Sequence, residues 1–584
     1  MSHDLSKTNR VTVASSESNR DPLREEYLNS RLSRTQLHDD LPIDPERGGG
    51  PRTVFGAGLS IVDLDPPPLA RLISHSEQVA SWFELDHDRL LNLLPQLSGG
   101  ASVAGVDPYA TCYGGHQFGA WAGQLGDGRA TGLGIFDGVA LTDPKQRTLN
   151  AVVYTESPSW EWQLKGAGIT PYSRRGDGKA VLRSSVREFL CSEAMSALGV
   201  PTTRALSLVE TGEMVWRDML YDGHPKREKG AIVCRVAPSF ARFGHFELAS
   251  SRGDYALTKR WVDHVIRRHY LPAWSDVDTD EIGEEHIFKW FTELSERTMD
   301  LVCEWMRVGF VHGVMNTDNM SALGLTIDYG PYGWIDDFDL NWTPNTTDAS
   351  QRRYRFGQQA DIARWNLSRL AFALAPLLKE IDPFIEHLED WSDRFRVKFT
   401  QMMCGKLGTL SATEPGIKVE EAERELIREG MNAWQGAELD MTLFFNTLTR
   451  LDSSQEIDEW HKQLEATLYH DEGRLTSAER VVGRTKLWEW VNDLKRYLTR
   501  VAPQQSQERR RLVMNAHNPI YVLRNYLAQE AIDALEKGDV EPLEKLRHVL
   551  KQPYTLQDNA EQFTQLRPQW ARTRPGCSML SCSS

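Results

Sequence analysis

The alternation of polar and apolar residues is typical of β-strands between about residues 53 and 250. Side chains of a strand point to opposite faces in turn, so a half-buried strand alternates in polarity and a fully buried strand is continuously apolar. The clearest predicted strands are WEWQLKGAG (160–168), TTRALSLVETGEMVWRD (202–218) and AIVCRVA (231–237). The second stretch is long enough for two strands, which we expect to turn around Thr211 and Gly212.

Helical periodicity marks the rest of the chain. One amphipathic helix, SSVREFLCSEAMSALGV (184–200), interrupts the predicted strands, and Gly199 marks its end. From about residue 255, helices are predicted for HIFKWFTELSERTMDLVCEWMRVGF (286–310), ADIARWNLSRLAFAL (360–374) and the charged stretches 418–430 and 455–500. No internal repeat indicates a solenoid.

These patterns predict the α+β class, with a mixed β lobe followed by a helical lobe. The predicted divisions are a poorly ordered leader with one short helix at DPLREEYL (1–50), an N-lobe with glycine-rich loops (51–250), a C-lobe core (251–380), a helical extension (381–560) and a tail that contains Cys577 and Cys582 (561–584).

Composition and charge exclude several classes of protein. With 40% hydrophobic and 26% charged residues, the 584-residue chain has the usage of a globular protein. A net charge of -15 disfavours nucleic acid as the main partner. We expect no membrane span and no secretory signal, because no apolar run is long enough. Seven cysteines without a CxxC pair indicate a reducing compartment rather than a disulfide framework or a zinc ribbon.

Two glycine clusters are candidate phosphate-binding loops, GGHQFGAWAGQLGDGRATGLG at 114–134 and RRGDGK at 174–179. Glycine lets backbone amides approach an anion closely. Neither cluster is a Walker loop, because Ser173 stands where the first glycine should be and Ala180 follows Lys179. Tight turns in a β-rich lobe are the alternative explanation.

Four charged residues of the β lobe could act on a bound nucleotide. Lys165 closes a predicted strand, and Glu188 on the following helix could hold it by charge pairing, as in kinase-type sites. The alternatives are an exposed lysine and a capping box in which Glu188 closes the helix start with Ser185. Arg235 and Arg242 are two further candidate phosphate ligands, or else surface arginines.

A loop in the helical half carries the sharper signal. HGVMNTDN (312–319) is followed by Asp328-Tyr329-Gly330 and then by an acidic run from Asp336 to Asp339. Asn and Asp oxygens together with phosphates suit Mg²⁺, and a further Asp could serve as a general base. An Asx-turn cluster without a metal is the alternative. The order of glycine loop, strand lysine, helix glutamate, Asp/Asn loop and D-[FY]-G triplet is that of a kinase-like phosphotransferase.

Several long motifs resemble the selenoprotein O family from about residue 50 to the C-terminus. The matching segments are GGHQFGAWAGQLGDGRA, WQLKGAGITPYSRRGDGKAVLRSSVREFLCSEAM, VAPSFARFGHFE, GFVHGVMNTDNMS, DYGPYGWIDDFD and ADIARWNLSRLA. The resemblance implies a bilobal protein-kinase-like fold that binds ATP in an inverted orientation. It also implies transfer of AMP, rather than phosphate, to Ser, Thr or Tyr hydroxyl groups of proteins, in redox regulation.

The resemblance further implies a role for individual residues. Asp318 would accept the proton of the attacking hydroxyl, and Asn319 and Asp328 would bind Mg²⁺, or Mn²⁺ in its place, with Asp328 also near ATP. The residues implied to contact ATP or to steady such a contact are Gly126, Gly128, Arg129, Lys165, Asp177, Gly178, Glu188, Arg235 and Arg242. We expect a monomer in mitochondria if the source is a eukaryote, and in the cytoplasm if it is a bacterium.

Two departures limit what the resemblance implies. Asp318 and Asn319 are adjacent, whereas a kinase HRDxxxxN loop separates the two residue types, so kinase geometry does not follow. In some relatives a tail cysteine pairs with a cysteine after DYG, but this chain has Pro344 in the matching stretch, and Cys582 is the cysteine third from the end. A protein kinase that transfers the γ-phosphoryl group and an inactive pseudokinase scaffold remain alternative functions.

Overall fold

The computed structural model describes residues 27–28, 30–34, 36–139, 159–274, 281–409, 419–470, 473–501 and 507–581. Its strands, in chain order, are β1 (Leu59–Ile61), β2 (Arg71–His75), β3 (Tyr109–Thr111), β4 (Gly114–Gln117), β5 (Ala120–Gln124), β6 (Ala130–Asp137), β7 (Ser159–Lys165), β8 (Ala180–Val181), β9 (Arg204–Arg217), β10 (Lys226–Ala237), β11 (Phe310–Val311) and β12 (Gly333–Trp334).

Helices come both before and after the long strands β9 and β10. They are α1 (Leu37–Asp40), α2 (Glu77–Ser81), α3 (His87–Asn92), α4 (Leu94–Leu97), α5 (Leu182–Ala197), α6 (Phe243–Ser251), α7 (Tyr255–His269), α8 (Glu284–Val308), α9 (Gln359–Leu374), α10 (Asp382–Glu389), α11 (Trp391–Leu407), α12 (Glu421–Ala437), α13 (Met441–Arg450), α14 (Ile457–Glu465), α15 (Ser477–Val501), α16 (Gln507–His517), α17 (Asn525–Glu536) and α18 (Glu541–Leu550). Short 3-10 helices lie at Leu271–Ala273, Thr317–Asn319, Thr346–Asp348, Phe356–Gln358, Ala375–Leu377, Glu561–Thr564 and Gln569–Arg572.

Within the described residues, eight strands form one antiparallel sheet in the order β1-β3-β6-β7-β10-β9-β2, with β8 on β10. The α+β class is therefore confirmed. The predicted turn at Thr211 and Gly212 is wrong, because β9 runs through both residues and pairs with β10 along its length. The positive φ of 73° at Gly212 is accommodated at an irregularity of this ladder, and the chain reverses only after Arg217.

Apolar side chains cover both faces of the sheet. One face packs against α2 to α4, with Trp82 stacked on Trp160 at 4.4 Å between ring centroids. The other face packs against α5, whose core is continuous with that of the helical half. α8 and α9 coincide with predicted helices, and the region 455–500 contains two helices, α14 and α15, in place of one continuous stretch.

Residues 36–50, part of the predicted poorly ordered leader, include side chains that pack in the core. Leu37 and Leu41 are buried in the main core, and β1 begins at Leu59. This packing contradicts the expectation for residues 36–50. The expectation followed the polar composition of the segment and gave too little weight to its two leucines at helical spacing. The short helix expected at 21–28 lies largely outside the described residues.

The described end of the chain docks on the segment that follows β12. The amide of Leu580 donates to the carbonyl of Pro344 at 2.9 Å, and the amide of Thr346 donates to the carbonyl of Leu580 at 2.7 Å. Cys577 is buried and free. Cys582 lies outside the described residues, so the tail contact seen here is made by backbone hydrogen bonds next to Pro344.

Candidate active site

A cavity of about 1030 Å³ opens between the sheet and the loop after β11. It brings together every nucleotide or metal contact expected from the sequence except Glu188. These residues are Gly126, Gly128, Arg129, Lys165, Asp177, Gly178, Arg235, Arg242, Asp318, Asn319 and Asp328. They come from the two halves of the chain, so the cavity is a cleft that neither half forms alone.

Lys165 and Glu188 form a buried ion pair behind this cavity. Lys165 ends β7, and its Nζ lies 2.8 Å from Glu188 Oε2 on α5. The capping-box alternative for Glu188 is wrong, since α5 begins at Leu182 and Glu188 lies within it. Burial, reinforced by Arg235 and Arg129 and opposed by Glu188, lowers the pKa of Lys165 to about 7. Burial alone would raise the pKa of Glu188, but the attraction of Lys165 and Arg235 lowers it.

Two arginines from the sheet side of the cleft reach the same carboxylate. Arg235 on β10 donates from Nη1 to Asp328 Oδ1 at 2.6 Å, and Arg242, which precedes α6, contacts Asp328 Oδ2. Lys165 Nζ is 3.7 Å from Asp328 Oδ1. Three cations thus converge on Asp328 and Glu188. A third buried carboxylate, Asp127, lies 3.7 Å from Arg242 Nη2, so the three cations are met by three carboxylates, and all three cations line the cavity.

Asp318 lies beside this cation cluster and is almost fully buried. It belongs to the 3-10 helix Thr317–Asn319, and Gln117 on β4 donates to its Oδ2 at 3.2 Å. Its other oxygen, Oδ1, is buried without a hydrogen-bond partner among the described residues. Burial raises the pKa of Asp318 to about 6, against the weaker opposing effects of Gln117 and Arg242. A carboxylate with this pKa is suited to accept a proton near neutral pH.

The donor set at Asn319 and Asp328 fits a magnesium ion that is completed by phosphate oxygens. Mg²⁺ is usually bound by one or two protein oxygens together with substrate phosphates and water. The Asn319 side chain is held by a hydrogen bond from its Nδ2 to the carbonyl of Val314 at 2.9 Å, which leaves its amide oxygen as the ligand atom. Among the described residues, no group of three His, Cys, Asp or Glu side chains forms a metal cluster. A cation here would therefore depend on the nucleotide.

The GDGK loop is positioned by close backbone contact and by an arginine of the sheet. At Gly178 a side chain is excluded, because a Cβ there would lie 1.9 Å from the carbonyl oxygen of Gly168. Arg217 at the end of β9 binds both oxygens of Asp177, at 2.7 and 2.8 Å, and the carbonyl of Lys179 at 2.7 Å. Burial alone would raise the pKa of Asp177, but the hydrogen bonds from Arg217 outweigh this effect and lower the pKa. Arg217 was missed by sequence reasoning because its partner is remote along the chain.

The mouth of the cavity has an aromatic lining that the sequence did not reveal. Trp216 and Tyr221, at the end of β9 and in the connection to β10, are 63% and 62% exposed and line the cavity together with Arg174 and Arg175. The buried end, by contrast, holds Lys165 and the two arginines that contact Asp328. The two ends of the cavity therefore differ in depth, and the aromatic side chains lie at the exposed end.

The acidic run from Asp336 to Asp339 lies apart from the cavity. Asp336 contacts Arg524 at 3.2 Å and Arg567 at 3.5 Å, and Asp337 contacts Arg474 at 3.2 Å. These are ion pairs of the helical half.

No helix in the described part of the chain has the length and apolar character needed to cross a membrane.

Comparison with known proteins places these observations in a family. The family profile described as protein adenylyltransferase SelO matches residues 59–551. A protein nucleotidyltransferase YdiU of Rhodopirellula baltica is 50% identical over 554 residues, covering 93% of this chain and 98% of the relative. The proteins of the same name from Xanthomonas euvesicatoria and Tolumonas auensis are 50% and 48% identical, over 94% and 93% of this chain and 98% of each relative.

Proposed function

The chain belongs to the SelO family of protein adenylyltransferases, and from this premise we propose how its cleft transfers AMP from ATP to protein hydroxyl groups. The observation that carries the proposal is the group of three buried cations, Lys165, Arg235 and Arg242, that line the cavity beside Asp318. A triphosphate supplies oxygens that these cations can bind, and Asp318 supplies a base next to it. In this arrangement the cations and the base act on opposite sides of one phosphorus atom.

We propose that the fold is the bilobal kinase-like architecture. It is supported by a lysine at the end of a central strand, its pairing with a glutamate of α5 and an Asp/Asn loop in the helical half. Glycine loops at 126–129 and 176–178 border the cleft from the sheet side. The helical region beyond residue 381 would then support the second lobe.

We propose that the β- and γ-phosphates of ATP bind at the buried end of the cleft and the nucleoside lies toward its mouth. The buried cations are Lys165, Arg235 and Arg242, whereas the aromatic side chains of the lining, Trp216 and Tyr221, are exposed. Arg235 and Arg242 would exchange Asp328 for phosphate oxygens, since both are guanidinium-anion contacts of similar geometry. The released Asp328, with Asn319, would hold Mg²⁺ or Mn²⁺. The metal would neutralise charge on the phosphates.

The proposed reaction is an in-line transfer at the α-phosphorus. The acceptor hydroxyl oxygen forms a bond to this phosphorus, the bond to the oxygen that bridges the α and β positions breaks, and pyrophosphate leaves. The hydroxyl proton passes to Asp318, whose raised pKa is matched to this role. Lys165 and the arginines remain in contact with the leaving pyrophosphate, so their charge stabilises the transition state.

The acceptor is proposed to be a Ser, Thr or Tyr hydroxyl, and the setting to be redox regulation. Both points are carried over from the resemblance to the selenoprotein O family, whose profile name itself specifies adenylyl transfer to protein. The bacterial origin of the relatives favours the cytoplasm over mitochondria. Nothing in the described residues requires a second copy to complete the cleft, so we propose that a monomer is active.

Transfer of the γ-phosphoryl group is the competing reaction, and ATP labelled separately on the α- and γ-phosphates distinguishes the two. Our proposal predicts that protein acceptors gain the α label and not the γ label. Incorporation of the γ label alone would establish a kinase instead. Absence of both labels, together with absence of ATP binding, would establish a pseudokinase scaffold. Lys165→Met serves as the control for label that does not depend on the cleft.

A further inference from the structure

The β4–β5 hairpin forms one wall of the approach to Asp318. A Cβ at Gly115 would lie 2.7 Å from Asp318 Oδ1, and Gln117 donates to Oδ2. The amide of Phe118 donates to the hydroxyl of Tyr354 at 2.9 Å, and that hydroxyl donates to Asn316 Oδ1 at 2.6 Å. The hairpin therefore joins the base of the proposed reaction to the segment that begins α9.

The same hairpin meets an arginine-rich surface on that segment. A Cβ at Gly119 would lie 3.4 Å from Arg353 Cζ, so the two elements are in contact. Arg353 stacks over Trp365 at 4.7 Å, and Arg369 stacks over the same ring at 5.2 Å. His116 on β4 packs edge-on against Trp365 at 5.5 Å, and Trp121 on β5 is 41% exposed. We call the set Arg352, Arg353, Arg369, Trp121 and Trp365 the acceptor-side patch.

The acceptor-side patch carries unbalanced positive charge in an acidic protein. Residues 350–370 contain five arginines and one acidic residue, Asp361, whereas the whole chain has a net charge of -15. No carboxylate of the described residues lies within the 4.0 Å ion-pair distance of the guanidinium groups of Arg352, Arg353 or Arg369. Arg394 in α11 is different, because it pairs with Glu296 and Asp390.

Three nearby carboxylates make no ion-pair contact with the patch. Glu247 is buried and bound to His116 at 2.7 Å, and Asp361 accepts a hydrogen bond from Gln358 at 2.6 Å. Asp348 is buried, accepts hydrogen bonds from the amides of Arg353 and Tyr354, and attracts the Arg353 guanidinium at longer range. Stacking on Trp365 holds Arg353 and Arg369 without a directly contacting carboxylate among the described residues. Such pre-ordered guanidinium groups bind carboxylates bidentately at little further cost in side-chain entropy.

We propose that the acceptor-side patch binds an acidic segment of the protein acceptor, next to the hydroxyl that receives AMP. The inference rests on the proposed function, because it takes Asp318 as the base at which the acceptor arrives. A short acidic peptide fits the local charge, while a long polyanion such as nucleic acid would also meet the negative field of the whole protein. The exposed Trp121 and the ring of Trp365 offer apolar contact to residues beside the carboxylates.

The test compares two labelled peptides that differ only in charge. Both contain one serine, which is flanked by four Glu residues in the first and by four Gln residues in the second. Binding to the full-length protein is measured by fluorescence anisotropy. We expect the Glu peptide to bind about tenfold more tightly, the change that two or three exposed ion pairs supply. Arg352→Glu/Arg369→Glu should remove or invert this preference, and added salt should reduce it.

A matched control reverses a charge elsewhere. Arg428→Glu changes an exposed arginine of α12 that pairs with Glu425, and should retain the preference of the wild type. The melting-temperature shift produced by Mg²⁺ and ATP should be equal in all three proteins, since none of the changed residues lines the nucleotide cavity. If a variant fails to show this shift, the comparison of the two peptides on the wild type decides alone.

Equal binding of the Glu and Gln peptides to the wild type would overturn the inference. So would competition by a single-stranded oligonucleotide that is stronger than competition by the Glu peptide. Incorporation of α-labelled AMP into extract proteins is measured on the same wild-type sample. If AMP is incorporated but the peptides bind equally, the patch is wrong and the proposed function stands. If no AMP is incorporated, the proposed function fails, and the peptide binding still judges the patch.

Discussion

Two buried ion clusters in this protein use similar side chains but differ in their surroundings. In the helical half, Arg524 binds both oxygens of Asp440 at 2.8 and 2.9 Å, and Asp336 bridges it to Arg567. In the cleft, Lys165, Arg235 and Arg242 contact Glu188, Asp328 and Asp127, and the three cations line the cavity. The helical cluster is balanced and closed, and Tyr469 completes it with a hydrogen bond of 2.6 Å to Asp440.

The difference between the clusters shows why contact with a cavity is more informative than burial. A closed buried cluster satisfies its own members and fixes how elements pack, as the helical cluster does for the start of α13 and the segment around Arg567. The cleft cluster borders a cavity, so an anionic ligand can replace its carboxylates as the partner of the cations. The acidic run Asp336–Asp339 was conspicuous in the sequence, yet its described contacts belong to the balanced cluster.

The largest expected effect is on catalysis at Asp318. Asp318→Asn keeps the shape of the side chain but cannot accept a proton, so kcat for AMP transfer should fall by about 10²- to 10⁴-fold. Transfer of α-labelled AMP at saturating ATP measures it. Asp361→Asn, an exposed change on α9, serves as the control and should retain activity. A loss of less than tenfold in Asp318→Asn would mean that another group accepts the proton.

A substitution in the helical cluster should lower the stability of the protein rather than its activity. Asp440→Asn preserves the side-chain oxygen that caps the amide of Leu443 but leaves the buried Arg524 without its bidentate partner. The free energy of unfolding should fall by about 3–5 kcal/mol at pH 7, as measured by urea denaturation. Residual activity per folded molecule should be close to that of the wild type. An unchanged free energy of unfolding would contradict the assignment of this cluster to structure.

Substitution of Asp328 tests the role of the cleft cluster in metal binding. Asp328→Ala removes a proposed metal ligand and the shared partner of Arg235 and Arg242. We expect metal-dependent transfer to fall by about 10²- to 10³-fold while the fold is retained. Titration of Mg²⁺ and Mn²⁺ against activity, with circular dichroism as the check of folding, measures both parts. Undiminished activity would show that the metal is held elsewhere.

A buried carboxylate that must be ionised for the reaction should lower the free energy of unfolding. Substitution of Asp318 tests this expectation. Its folded pKa of about 6 exceeds its ordinary value of 3.8, so the ionised form is disfavoured by folding at pH 7. Asp318→Asn should therefore raise the free energy of unfolding by about 1–3 kcal/mol at pH 7. The gain should vanish below about pH 4, where Asp318 is protonated in both states. Destabilisation at pH 7 would contradict this account of the site.

The smallest expected effect is the pH profile of the wild type. Only ionised Asp318 accepts a proton, and burial raises its pKa to about 6. The value of kcat/KM should thus decline about tenfold per pH unit below pH 6, rather than below pH 4. A profile that stays level from pH 7 to pH 4.5 would mean that ionisation of this carboxylate does not control the reaction.

The sequence predicted the elements and the cleft residues that lie in recognisable local patterns. Lys165 ends an alternating strand, Glu188 lies on an amphipathic helix, and Asp318 follows a long helix, so each was found from nearby residues. What could not be predicted depends on long-range register. β9 continues through Gly212 because β10 pairs with it on both sides, and that pairing carries Trp216 and Arg217 to the cleft.

Spatial neighbours without a local pattern were also missed. The β4–β5 hairpin was interpreted as a glycine-rich loop, and only the folded chain places Gln117 against Asp318. Arg353 and Arg369 lie on one surface because both stack on the ring of Trp365. The choice between an ion pair and a capping box for Glu188 depended on where α5 begins, and the helix begins at Leu182.

Calorimetric titration with ATP and Mg²⁺ tests the central claim most directly, because the claim is that the buried cations lining the cleft bind a triphosphate. The wild type, Arg235→Met and the surface control Arg428→Met are compared. The account predicts binding to the wild type and the control, with at least a tenfold loss of affinity in Arg235→Met. Equal affinity of all three proteins would show that the nucleotide does not use these cations, and would contradict the account.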